Sequence, residues 1–173
     1  MCRPYQILIS LLSLFLNRVD LTDLIPITMN AQVLRVYDGD TLLLKVGRNS
    51  LLKLRLSRID SPELGQPFIN SKQDAGEFSK ACLKSIITNQ GIVNIEGFDV
   101  YGRALGNFND LNLQLIQKGC TSLYPYASFK SKHEKFIYLQ ELAKAKRLRR
   151  GVWARGGYLL PKLWRKKKFS KRS

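Results

Sequence analysis

Three short stretches of this chain bring together groups that can act on a phosphate ester: Asp38-Gly39-Asp40-Thr41, Arg55 followed by Asp60-Ser61-Pro62-Glu63, and Tyr101-Gly102-Arg103. Carboxylates hold a hard cation and can take a proton from water, while guanidiniums grip phosphate oxygens in pairs and stay charged at any working pH. Each stretch alone carries little, since Asp-Gly is a common turn and an Arg between leucines is often an exposed strand residue. In this order, on one domain, they point to metal-assisted cleavage of a phosphodiester.

The elements around these residues read as short strands with helices between them. Gln32 to Tyr37 and Thr41 to Val46 are rich in β-branched residues and leucine and meet at Asp38-Gly39-Asp40. Gly47 to Ser50 reads as a hairpin turn, and Leu51 to Ile59 then alternates leucines with Lys53, Arg55 and Ser57. Arg55 is thereby expected on the face opposite the leucines, toward a barrel mouth or solvent. Ser71 to Asp74 reads as a helix N-cap, with Ala75, Phe78, Cys82 and Ile86 as the apolar stripe behind it. Gly91 to Gly97 and Arg103 to Phe108 supply two further strands. Asp110 is placed to cap a short helix that Gly119 ends. Ser131 and Glu134 form a capping-box pattern ahead of a helix with a stripe of Phe136, Leu139, Ala143 and Leu148. The expected fold is α+β, mainly β: a five-stranded OB-type Greek-key barrel with about three helices.

At 173 residues the chain holds one domain with tails. The reading divides it into an N-terminal apolar segment over 1–30, the barrel domain over 31–155 and a basic tail over 156–173, with Pro161 marking the end of the ordered domain. Of the +16 net charge, thirteen Lys and Arg residues follow Glu141 with no acidic residue among them, so the basic character belongs mainly to the C-terminal end. Such a run can contact nucleic-acid phosphate or another anionic surface, and it can also be merely solvated. Cys2, Cys82 and Cys120 have no close spacing and an odd count, which indicates neither a disulfide framework nor a zinc site. A single histidine, His133, excludes multi-histidine metal sites. Ile7 to Leu16 is apolar with Arg3 ahead of it, as in a secretory h-region or a short anchor; a start at Met29 would instead leave a cytoplasmic chain. A monomer is the default expectation.

With these motifs in hand, the chain resembles the staphylococcal nuclease (thermonuclease) family from about Ala31 to Trp153. The matching text is Val36 to Thr41, Arg55 to Glu63, Asp99 to Arg103, Leu115 to Gly119 and Gly151-Val152-Trp153. The resemblance implies calcium-dependent hydrolysis of DNA and RNA that leaves 3′-phosphate ends. It further implies that Asp40 and Asp60 are the metal carboxylates and that Ser61 gives a main-chain carbonyl where the family usually has threonine. Glu63 falls at the general base, and Arg55 and Arg103 at the two phosphate-binding guanidiniums. Tyr101 falls at a tyrosine that contacts the terminal phosphate, and Tyr126, or Tyr124, at one lining the base pocket. The competing reading is a non-catalytic nucleic-acid-binding OB module, since barrel shape alone does not decide function.

Overall fold

The computed structural model describes residues 26–170, and side chains up to 167. The apolar run over Ile7 to Leu16 and the last basic residues, Lys171 and Arg172, lie outside the described residues. Among the described residues seven strands are formed: β1 (Ile27–Val36), β2 (Thr41–Val46), β3 (Ser50–Leu56), β4 (Ile59–Asp60), β5 (Gln90–Phe98), β6 (Ala104–Phe108) and β7 (Ser122–Leu123). Among the described residues there are four α-helices: α1 (Ala75–Ile86), α2 (Leu111–Gln117), α3 (Lys132–Arg147) and α4 (Pro161–Ser170), with a 3-10 turn at Gly151–Arg155 between the last two.

Five strands close into a barrel in the order β1-β2-β3-β6-β5, as the sequence pattern leads one to expect of an OB-type fold. Every neighbouring pair is antiparallel except β3 with β6, which run parallel and so need the long connection that carries α1 and β5. The interior follows the period-2 alternation of the strands. Leu42, Leu44, Leu54, Leu56, Val93, Ile95 and Phe108 are buried on the inward face and meet Leu111, Leu115 and Ile116 of α2, which closes one end. Asn112, fully buried in α2, donates through Nδ2 to the carbonyls of Ser57 at 2.6 Å and Gly106 at 3.1 Å and so fixes the helix to the strand ends.

Several boundaries differ from expectation for identifiable reasons. β1 begins at Ile27, because Ile27 to Asn30 pair with Ile95 to Ile92 of β5; the boundary expected at residue 30 falls inside this strand. The α1 N-cap falls within the expected stretch, at Asp74, whose Oδ1 accepts from Gly76 N at 2.7 Å and Glu77 N at 3.1 Å, while Ser71 Oγ accepts from Gln73 N in the preceding turn. Asp110 makes no capping bond: its Oδ1 accepts from Asn107 Nδ2 at 3.0 Å. Ser131 does cap α3, Oγ accepting from Glu134 N at 3.0 Å. That helix turns a different face inward, burying Tyr138 and Ala145 and leaving Phe136, Leu139 and Leu148 exposed. Tyr138 is amphipathic and stacks edge-on to Phe129 at 5.5 Å, a contact with no signature in helical periodicity.

Two long-range ties also escape the sequence pattern. Cys82 of α1 and Cys120, 38 residues apart, stand 6.0 Å apart at Cα and are joined as a disulfide, although their spacing gives no cue to pair them. Pro161 begins α4 rather than closing the ordered chain, as its fixed φ suits a first helical position. Upstream of it, Tyr158 is buried, stacks on Trp153 at 5.7 Å and donates its hydroxyl to the Asp60 carbonyl at 3.3 Å.

Candidate active site

One mouth of the barrel gathers the polar motifs. Asp38 and Asp40 come from the β1–β2 turn, Arg55 from the end of β3, Asp60 from β4, and Ser61 and Glu63 from the loop that follows. With Arg103 and Arg165 they line a cleft of about 100 Å³. The turn can approach the Ser61 loop because Gly39 has no side chain. A Cβ there would sit 2.1 Å from Ser79 Oγ and 2.8 Å from Ser61 Cβ. Gly76 in the first turn of α1 does the same for the Glu63 loop, since a Cβ would lie 2.2 Å from the Glu63 carbonyl oxygen.

Arg55 is the hub. Its Nη1 is 2.7 Å from Asp40 Oδ2 and its Nη2 donates to Asp60 Oδ1 at 3.0 Å, so one fork holds a carboxylate of the β1–β2 turn and one of β4. Burial opposes its charge, but Asp40 and Asp60 outweigh that effect and hold its pKa above the ordinary value. Asp40 Oδ2 also accepts from Ser61 N and Ser61 Oγ, both at 2.8 Å, and its Oδ1 accepts from Thr41 Oγ1 at 3.1 Å. Asp38 caps the same turn, Oδ1 accepting from Asp40 N at 3.0 Å.

Asp60 is only 2% exposed and its Oδ2 has no hydrogen-bond partner; Arg165 Nη2 stands 4.0 Å away. Burial, with help from nearby Asp40, pushes its carboxyl up to about 6 despite the opposing pull of Arg55. Asp38 is likewise pushed up to about 6, by burial and then by Asp40. A buried carboxylate oxygen left without a donor is costly, and a hard cation at that oxygen would satisfy it. Among the described residues no three His, Cys, Asp or Glu side chains converge as a ready-made metal cluster. Asp40 and Asp60 bring two carboxylates to this cleft, hard donors of the kind that calcium or another hard divalent ion could use.

Glu63 projects from a loop fixed by a buried glutamine. Gln66 Oε1 accepts from Glu63 N at 3.0 Å, Gln66 N donates to Glu63 O at 2.9 Å, and Gln66 Nε2 donates to the Leu159 carbonyl. Arg103 reaches the cleft from the turn before β6. Asp99 steers it, accepting from Arg103 Nε at 2.7 Å while also accepting from the Tyr101 and Arg103 main-chain N–H groups.

The two sequence-predicted tyrosines stand outside the cleft lining. Tyr101 is 81% exposed on the Asp99 turn, with the Arg103 guanidinium 5.8 Å from its ring centre. Tyr126 is 65% exposed, edge-on to Tyr124 at 5.7 Å, and its hydroxyl accepts from Lys162. Two contributors were not foreseen. Gln66 carries no chemical signal in the sequence. Arg165 sits within a run of like charges, where only its spacing of three from Lys162 sets it apart.

Residues 53–155 match the family described as staphylococcal nuclease homologue. The chain belongs to that family. Among curated relatives, an uncharacterized endonuclease of Haemophilus influenzae is 30% identical over 141 residues, covering 78% of this chain and 72% of the relative. A micrococcal nuclease of Shigella flexneri is 28% identical over 149 residues, covering 78% of this chain and 79% of the relative. The endonuclease YhcR of Bacillus subtilis is 28% identical over 135 residues, 69% of this chain but 11% of that much longer protein. In this staphylococcal nuclease homologue, every polar residue that the resemblance assigned to metal binding or catalysis lines the same cleft.

Proposed function

We propose that this protein is a calcium-dependent nuclease that hydrolyses phosphodiester bonds of DNA and RNA and leaves 3′-phosphate ends. The observation that carries the reading is the Arg55 fork on Asp40 and Asp60, with Asp60 Oδ2 unpartnered beside Glu63. The endonuclease and micrococcal nuclease names of the relatives support the reaction class.

In this reading Asp40, Asp60 and the Ser61 carbonyl would hold the calcium, which when bound would supply Lewis-acid polarisation of a phosphate oxygen. Glu63 accepts a proton from the attacking water as its oxygen forms a bond to phosphorus. The P–O5′ bond breaks, the phosphate stays on the 3′ side, and the leaving oxygen takes up a proton to become a 5′-hydroxyl. Arg55 and Arg103 stabilise the extra negative charge on the five-coordinate phosphorus, a task for which fixed, desolvated guanidiniums are suited. Arg55 meets that requirement because two carboxylates preorganise it in a largely buried place; Arg103, more exposed, is oriented by Asp99. The alternative, a binding module without catalysis, offers no reason to bury two carboxylates against Arg55 at the cost of their desolvation.

The test is digestion of single-stranded DNA and RNA by the full chain with calcium and with a calcium chelator, followed by identification of the new termini. Calcium-dependent products ending in 3′-phosphate support the reading. Binding without cleavage, or cleavage that leaves 3′-hydroxyls, overturns it.

A further inference from the structure

Helix α4 lies against the mouth of the cleft, held there by the Gln66 bond to Leu159 and the buried Tyr158 just upstream. Two of its cations point to the site side. Arg165 ion-pairs with Glu63 and stands 4.0 Å from Asp60 Oδ2. Lys162, one turn earlier, donates to the Tyr126 hydroxyl and lies 4.5 Å from the centre of that ring. Tyr124 packs edge-on against Tyr126. The order along the surface is therefore catalytic cleft, guanidinium, ammonium on an aromatic ring, second aromatic ring.

The helix itself gains little from this arrangement. Lys162 and Lys166 stand at i,i+4 with no acidic residue in the helix to offset them, and like charges at that spacing destabilise a helix. The Arg165–Glu63 pair does not offset this, because Arg165 has a side chain 43% exposed and such pairs contribute little to stability. A polyanion laid along this face would relieve the repulsion. A phosphate to each cation and a base against each ring is the alternation that a single nucleic-acid strand presents.

We propose that α4 forms one wall of the substrate groove: Arg165 contacts the phosphate at or next to the scissile bond, and Lys162 with Tyr126 receives the adjoining nucleotide. Arg165 is a substrate-binding residue in this account, held ready at the cleft by Glu63. The inference rests on the nuclease reading of the same cleft.

The experiment measures the affinity of the full chain for a fluorescent single-stranded DNA oligonucleotide in calcium chelator, over a salt series, together with kcat and KM of cleavage in calcium. Arg165→Gln should bind about tenfold more weakly, the scale of losing one charge-assisted contact. Its slope of log affinity against log salt should be shallower by about 0.7, the share of one phosphate contact on a single strand. Lys162→Gln should show the same change of slope, while Lys167→Gln should leave both affinity and slope within about twofold of the parent. Unchanged affinity and slope in Arg165→Gln and Lys162→Gln overturn the proposal. An equal loss in Lys167→Gln overturns it too, because the helix would then act by bulk charge. Faster cleavage by Arg165→Gln at unchanged affinity overturns it by making the arginine a plug on Glu63. If the parent cleaves and Arg165→Gln matches it throughout, only this inference fails; if the parent neither binds nor cleaves, the nuclease reading fails with it.

Discussion

Gln66 brackets Glu63 from both sides of one residue, its side-chain oxygen accepting from the Glu63 N–H at 3.0 Å and its own N–H donating to the Glu63 carbonyl at 2.9 Å. Buried completely, it also ties that loop to Leu159 and so couples the position of Glu63 to the C-terminal segment. Gln66→Leu keeps the volume and removes the polar anchors. It is expected to lower kcat by about 10- to 100-fold, the scale of a small misplacement at a reacting centre, with KM changed far less. Steady-state kinetics alongside a thermal melt check this. A fall in stability with kcat intact would make Gln66 purely structural.

The pH response follows from Asp60. Its carboxyl has an ordinary value of 3.8 and is pushed up to about 6 on folding, by burial first. The folded chain thus binds more protons than the unfolded chain between those values. This contribution to stability is full below about 3.8 and lost as pH rises through about 6. A cation competes for the same oxygen and needs the ionised form. The upward shift in Tm caused by calcium should be full near neutral pH and fade as pH falls through about 6. Calcium titrations followed by thermal melts at several pH values test it; a calcium shift that does not depend on pH in that window would remove Asp60 from the metal set.

Away from the cleft, Arg58 anchors α3 to the barrel. It is buried with φ at 68°, its Nη1 and Nη2 donate to Glu96 at 2.7 and 3.0 Å, and its Nε lies 3.0 Å from Glu134 Oε1. Burial opposes the charge of Glu96, yet the Arg58 hydrogen bonds hold its carboxyl below the usual range. Removing one partner of such a set strands the other, so Arg58→Ala should cost about 3 kcal/mol of stability. Urea unfolding measures it, and a loss below about 0.5 kcal/mol would class the cluster with exposed pairs.

Much of this was legible before any coordinates. The alternation in β2 and β3 fixes which residues face inward, so Leu54 and Leu56 in the core and Arg55 at the mouth follow from a period of two. The motif order brings Asp40, Arg55, Asp60, Glu63 and Arg103 to one cleft, because each sits at a strand end or in the loop beside one. What periodicity could not reveal were contacts made at a distance along the chain. Cys82 with Cys120, Tyr158 beneath Asp60, and Arg165 on Glu63 each depend on a path that no local pattern encodes. The buried face of α3 differs from the expected stripe because apolar residues occupy two faces there and the buried one is led by a tyrosine. The two tyrosines follow from resemblance alone, and both stand outside the cleft lining.

Whether this cleft performs the chemistry is tested most directly by the single-turnover rate of single-stranded DNA cleavage in calcium by Glu63→Gln and Arg55→Gln beside the parent chain. Each variant is expected to lose at least ~10²-fold in rate, the scale of removing one preorganised catalytic group. Folded Glu63→Gln and Arg55→Gln, confirmed by circular dichroism, that cleave at the parent rate would contradict the assignment of the cleft as the active site.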